Sequence, residues 1–264
     1  MENQATRDHW NENSDNYYSH QAEKDHPGIL QEDPYRAFPE EIAAWLRQLY
    51  PDMRGMKILV PSSGDNLAAF AFHLLGAEVT SADLAENQLK NAKAIADARG
   101  WDIRFVQADS MSLEGIPSEA YDLVYTSNGA HVWISDLTRM YGSFRRVLKP
   151  GGRYIFFETH PFIRPFDDSA AEVRIVKPYH IIRTEDNPLN YHWRVQDFVK
   201  GLLAAGFTLR DFAEFYAKPG YFCGHNWYYG SREEAEADNC RLYDWTLNPY
   251  AALPQWLGAV VEKG

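Results

Sequence analysis

Residues 57 to 83 limit the choice of fold more than any other part of the chain. They read KILVP, then SSGDN, then LAAFAFHLLG, then AEVTSAD. That is an apolar strand, a small polar turn, an apolar helix stopped by Gly76, and a second strand ending on Asp83. Such a unit is a βαβ crossover, whose strands pair in parallel and whose first turn faces the ligand in nucleotide-type binding folds. The turn Pro61-Ser62-Ser63-Gly64-Asp65-Asn66 holds one glycine. A pyrophosphate needs bare backbone close to it at a helix N-terminus, which is why dinucleotide loops are glycine-rich. A single glycine points away from a dinucleotide and toward a nucleoside ligand without phosphate.

The alternation continues downstream. Strands are expected at 57–60, 78–82, 103–107, 123–126 and 153–158, with helices at 67–75, 84–99 and 137–148 between them. A helix also opens at Pro39-Glu40-Glu41, with proline and acids in its first turn and Ile42, Trp45, Leu46 and Leu49 on one face. Continuous apolar strands separated by helices imply a parallel sheet covered on both faces. After 158 the rhythm breaks. Residues 159–192 contain four prolines and three histidines, and suggest a hairpin of 173–176 with 180–183. A helix at 195–205, a strand at 208–215, an irregular aromatic stretch at 216–250 and a closing strand at 256–262 follow. The first 35 residues are polar, with Pro27 and Pro34 expected to divide them into short pieces.

The length of 264 residues suits one α/β domain with insertions. A net charge of −11 disfavours a nucleic-acid partner, because phosphate contacts require clustered Lys and Arg. Cys223 and Cys240 match neither a disulfide framework nor a zinc spacing, and no His or acid spacing reads as a metal site. With no apolar stretch resembling a signal peptide or a membrane span, the expected setting is cytoplasmic, with no membrane partner. Aromatic residues gather at 10–18, 154–193 and 215–250, a distribution that suits a lined cavity or a cap over one, while the runs 216–221 and 227–229 suit an acceptor pocket or the contact of a homodimer equally.

Several further segments carry a family resemblance. Ala108-Asp109 follows the third strand, Tyr121-Asp122-Leu123-Val124 opens the fourth, and Leu148-Lys149-Pro150-Gly151-Gly152-Arg153 precedes the fifth. Tyr191 to Phe198, Ala205-Gly206-Phe207 and Leu253-Pro254-Gln255-Trp256-Leu257 complete the series. In this order, with the opening βαβ, the chain resembles a class I S-adenosylmethionine (SAM)-dependent methyltransferase acting on small molecules, of the methyltransferase type 11 kind. The resemblance implies a Rossmann-like three-layer α/β sandwich. Its sheet has seven strands, mostly parallel with the last antiparallel, plus capping insertions. It also implies a single domain over 1–264, with 1–35 as an N-terminal lid and 159–192 and 216–250 as caps.

The same resemblance implies roles. Asp83 with Leu84 would hold the ribose, although an Asp there is equally suited to capping the helix that follows. Asp109 and Ser110 would meet adenine. Pro61, Ser62, Ser63, Gly64 and Asn66, together with Ser127, Asn128 and Gly129, would approach the methionine part, and Trp10 and Tyr17 would fold over the cofactor. The loop departs from the family pattern: Val60 stands at the usual acid, and Ser62 and Asn66 stand at two usual glycines. Asn tolerates left-handed backbone, so Asn66 can keep the path, whereas Ser62 adds a side chain; whether Asp65 replaces the missing acid stays open. Methyl transfer from a sulfonium is an in-line displacement that depends on alignment and exclusion of water. If a base is needed, the candidates are His160 and His131, for which packing is the alternative role. Tyr18, Tyr191, His192, His225 and Trp227 are candidates to contact the acceptor. The competing reading is a SAM-binding protein of this fold without methyl transfer, acting as a sensor or partner subunit.

Overall fold

The computed structural model describes residues 3–23, 25–167, 173–216 and 244–264. Seven strands, β1 (Lys57–Pro61), β2 (Glu78–Asp83), β3 (Ile103–Gln107), β4 (Tyr121–Ser127), β5 (Leu148–Thr159), β6 (Phe207–Phe215) and β7 (Trp256–Lys263), form one sheet. Their order is β3-β2-β1-β4-β5-β7-β6. β1 to β5 pair in parallel, and β7 runs antiparallel to both β5 and β6. The described helices are α1 (Gln4–Glu23), α2 (His26–Glu32), α3 (Glu40–Leu49), α4 (Leu67–Leu74), α5 (Glu86–Arg99), α6 (Leu137–Val147) and α7 (Val195–Ala204).

The strand text explains the three layers. Successive residues of a strand face opposite ways, so a strand buried on both faces is apolar at every position. On β5, Ile155 and Phe157 join the core under α3 and α4, with Ile42, Leu46, Phe70 and Phe72. Tyr154 and Phe156 join the opposite core under α6 and α7, with Met140, Phe144, Phe198 and Leu202. The order reverses direction between β1 and β4, and open α/β sheets bind ligands in the crevice at the strand ends beside such a switch. No helix among the described residues is long and apolar enough to cross a membrane.

The expected strands and central helices appear within a few residues of their anticipated limits, except that β5 starts earlier. Lys149 to Gly152, expected as a turn, already belongs to it, and Leu148 pairs with Tyr121. Two further expectations need correction. The first 35 residues are not short pieces: α1 runs unbroken for 20 residues, because Pro27 is the first proline it would meet. Its sequence is mostly polar, and polar contacts dock it on α5. Ser14 bonds Gln88, and Asn91 donates to Ser14 Oγ and Asp15 at 2.9 Å. The hairpin of 173–176 with 180–183 does not form. Instead Asp167 N donates to Arg174 O and Val176 N to Pro165 O, so 174–176 pairs with 165–167.

Candidate functional site

The β1–α4 turn is built around left-handed backbone. Ser62, Gly64 and Asn66 have φ of 49°, 50° and 62°. A side chain at such a position costs about 1 kcal/mol, least for Asn. Asn66 offsets it with its amide, which donates to Gly64 O at 2.9 Å and to the Tyr18 hydroxyl at 3.1 Å, while its oxygen accepts from Ser81 Oγ. Tyr18 in turn donates to Gly64 O at 3.0 Å. Ser62 turns its hydroxyl to Ser110 Oγ, 2.7 Å away, tying the turn to the segment after β3. The backbone path expected of glycines is therefore kept by residues whose side chains are tied down.

Asp83 ends β2 against this turn. Its carboxylate accepts from Gly64 N at 3.0 Å and from Ala85 N at 2.9 Å, so it does shape the entry to α5. Burial pushes its carboxyl upward, against the pull of these amides. Asp109 accepts from Met111 N at 2.8 Å and from the Asn3 side-chain amide at 2.7 Å. Burial pushes Asp65 up to about 6, although Leu67 N donates to it at 3.1 Å. At the β4 end, Asn128 (φ 60°) and Gly129 (φ 95°) are left-handed, and Asn128 N still bonds Phe157 O at 2.9 Å.

These pieces surround one cleft of about 200 Å³. Ser62, Ser63, Gly64, Asp83, Leu84, Asp109, Ser110, Ser127, Asn128, Gly129 and Trp10 all line it, as the sequence reading grouped them. Pro61 and Asn66 are buried behind it and do not line it; Asn66 shapes the turn from beneath. Tyr17 belongs to α1, and its side chain lies outside the described residues, as do His225 and Trp227.

The acceptor and base candidates among the described residues sit elsewhere. Tyr18, expected to meet the acceptor, is a buried strut under Gly64 and Asn66, and burial raises its hydroxyl well above the usual tyrosine range. His160 is buried away from the cleft: Nε2 pairs with Glu214 at 2.9 Å, and Nδ1 accepts from Phe162 N at 3.0 Å. His131 is also buried, with Nδ1 2.8 Å from Glu158 Oε2 and its ring against Phe198. Burial favours the neutral acid at Glu158, but hydrogen bonds from the His131 ring and backbone hold its carboxyl below the usual range. Neither histidine lines the cleft, so a base at either is not what the geometry builds. Tyr191 and His192 lie beyond the 3-10 turn His131–Trp133, and neither lines the cleft.

Sequence reading missed the cleft residues Asn3, Thr6, Ala68, Ala130, Trp133 and Ile134. Thr6 and Trp10 are spaced i, i+4 on one face of α1, with Asn3 just before its start, a spacing that would have signalled them had that helix been expected. Trp133 packs edge-on against Trp10 at 5.2 Å and stacks on His9 at 5.1 Å, so the start of α1 closes over the β4 end through aromatic contacts. The charge of the lining is one-sided. Among the described residues it contains three carboxylates, Asp65, Asp83 and Asp109, and no Lys or Arg. That set suits a cationic nucleoside and not a pyrophosphate, which would need donors and positive charge. SAM, with a ribose diol, an adenine amine, a sulfonium and an ammonium, fits it.

Comparison with known proteins agrees. Residues 60–156 match the model of a methyltransferase domain. An uncharacterized methyltransferase of Bacillus subtilis is 26% identical over 181 residues, covering 62% of this chain and 71% of that protein. A SAM-dependent Diels-Alderase of Neonectria is 28% identical over 201 residues, covering 71% and 75%. In fold, the chain is similar to a SAM-dependent methyltransferase structure from Mesorhizobium loti, with a TM-score of 0.61 at 21% identity over 84% of this chain and 97% of that one.

Proposed function

We propose that this chain is a class I SAM-dependent methyltransferase and that it methylates a small-molecule acceptor by in-line displacement. The single observation that carries the reading is the cleft whose described lining has three carboxylates, no Lys or Arg, and an aromatic lid. When bound, SAM supplies a methyl group already activated on a sulfonium. The residues then have distinct tasks. Asp83 accepts from the ribose hydroxyls with the lone pairs that Gly64 and Ala85 leave free, and Asp109 accepts from adenine. Asp65, which lines the cleft, would replace the missing acid of β1 as counter-charge to the ammonium. Trp10 and Trp133 close the cleft and keep water out, which is much of what an already activated donor needs. The described lining holds no histidine, so alignment rather than a histidine base carries the chemistry in this reading.

A second reading is favoured by the likeness to the Diels-Alderase, in whose name SAM appears without methyl transfer. In it the cofactor is held but not consumed. Calorimetric titration with SAM and S-adenosylhomocysteine, followed by mass spectrometry of SAM incubated with protein and a panel of small-molecule acceptors, separates the two. Binding with formation of S-adenosylhomocysteine supports methyl transfer. Binding without turnover on any acceptor supports the second reading, and no binding at millimolar ligand sinks both.

A further inference from the structure

The segment that follows β5 gathers three basic residues that are far apart in sequence. Val176 N donates to Pro165 O at 2.8 Å, which sets Lys177 beside Arg164. The Lys177 ammonium donates to Ile181 O at 2.9 Å, and His192 N donates to the next carbonyl, Ile182 O, at 2.6 Å. All three side chains belong to half-buried residues.

Their charges are unbalanced. Among the described residues neither Arg164 nor Lys177 forms an ion pair, and Nδ1 of His192 is buried without a hydrogen-bond partner. Glu158, which feels the charge of Arg164, is already engaged by the His131 ring, His131 N and Thr159 N. The groups oppose one another as well. Burial, then the charges of Arg164 and Lys177, pull His192 down to about 4 against the opposing charge of Asp186, and burial and Arg164 lower Lys177. Asp186, exposed and hydrogen-bonded to Thr184, reaches His192 with its charge, and among the described residues no carboxylate pairs with Arg164 or Lys177, which leaves these two half-buried cations open to an anion from outside.

The turn His131–Trp133 lies between the cluster and the cleft. Arg164 and Tyr191 line a small cavity with His131, Val132 and Glu158, and Tyr191 N donates to Val132 O at 2.7 Å. On the other side of the same turn, Trp133 lines the cofactor cleft.

We propose that Arg164, Lys177 and His192 form a receptor for an anionic group, a carboxylate or phosphate, on the small molecule that approaches the cleft past Trp133. Its identity as the methyl acceptor rests on the function proposed above, whereas anion binding does not. The guanidinium fork can give two parallel hydrogen bonds to either group, Lys177 adds a point charge, and His192 donates through Nδ1.

The test is a histidine-ring NMR titration of the full chain saturated with S-adenosylhomocysteine. Inorganic phosphate and succinate are added in separate arms at constant ionic strength. The His192 signal is identified by its loss in His192→Gln. A saturable shift with either anion is expected, the responding arm showing whether phosphate or carboxylate is preferred. Arg164→Ala and Lys177→Gln should each weaken anion binding by about tenfold or more while leaving affinity for S-adenosylhomocysteine unchanged. Lys177→Gln carries the comparison alone if Arg164→Ala does not fold. No saturable shift with either anion, or variants that bind it like the parent, would overturn the receptor. Saturable anion binding by a protein that does not bind S-adenosylhomocysteine would leave the receptor standing and remove the methyltransferase reading.

Discussion

The amide of Gly64 donates to the carboxylate of Asp83 at 3.0 Å, joining the one glycine of the β1–α4 turn to the acid that ends β2. One side chain thus shapes the turn and faces the cleft. Asp83→Asn should therefore lower SAM affinity by about 10- to 100-fold, the loss of one or two charge-assisted hydrogen bonds at about 1.5–3 kcal/mol. Titration calorimetry reads the affinity. A melting temperature that falls while affinity holds would mean that Asp83 serves only the turn.

Asp65 ties affinity to pH. Its carboxyl is raised from 3.8 to about 6 by burial, so the folded chain holds that proton more tightly than the unfolded chain. Ionisation between those values weakens the free protein as pH rises, by up to about 3 kcal/mol. Asp65→Asn should remove that decline, matching the parent near pH 4 and exceeding it at pH 7 in thermal melts without ligand. Binding goes the other way: the ammonium of SAM pairs only with the ionised carboxylate. The parent's affinity should drop as pH falls through 6, and Asp65→Asn should be about tenfold weaker at pH 7 with a flat profile. Parallel profiles for the two proteins would refute the ammonium role.

The left-handed positions separate backbone from side-chain effects. Asn66→Gly keeps the φ of 62° but loses the bonds to Gly64, Tyr18 and Ser81, at a cost of about 1–3 kcal/mol. Asn66→Ala loses the same bonds and adds about 1 kcal/mol of backbone strain. The expected order in denaturant midpoints is parent, then Asn66→Gly, then Asn66→Ala. Ser62→Gly relieves similar strain while losing the bond to Ser110, so its stability should stay within about 1 kcal/mol of the parent.

The aromatic closure should act on residence time. Trp10→Ala removes an edge-on contact with Trp133, worth about 0.5–1.5 kcal/mol beyond its buried area. Stopped-flow displacement should show the cofactor leaving about 3- to 10-fold faster, with little change in the arrival rate. An equal change in both rates would argue against a lid.

Most of the fold was readable from local text, because strands buried on both faces are apolar throughout and their connecting helices end at glycines such as Gly76 and Gly100. The cofactor residues were readable through the resemblance to a known family, and the carboxyl ends of β1, β2, β3 and β4, which meet at one edge of any such sheet, bring most of them together. What lay over that edge was not. The helix α1 is polar along its length and is held by contacts with residues some 75 positions away, such as Ser14 with Gln88. Hydrophobic periodicity carries no record of such contacts.

Histidine chemistry divides along the same line. From sequence, His160 is the favoured base and His131 a second candidate more suited to packing, since both follow strands that end at the sheet edge. Only the tertiary structure turns His131 onto Glu158 and His160 onto Glu214, because burying an imidazole requires a partner for each nitrogen that would otherwise lose water. The sequence by itself determined the alternating strands and helices of a parallel sheet through their periodicity, and its resemblance to a known family pointed to Asp83 and Asp109 beside one cleft. Tertiary packing alone decided that α1 closes over the cleft, that two serviceable histidines are spent on the core, and that Arg164, Lys177 and His192 come together. Each depends on contacts between residues distant in the chain, which local pattern does not encode.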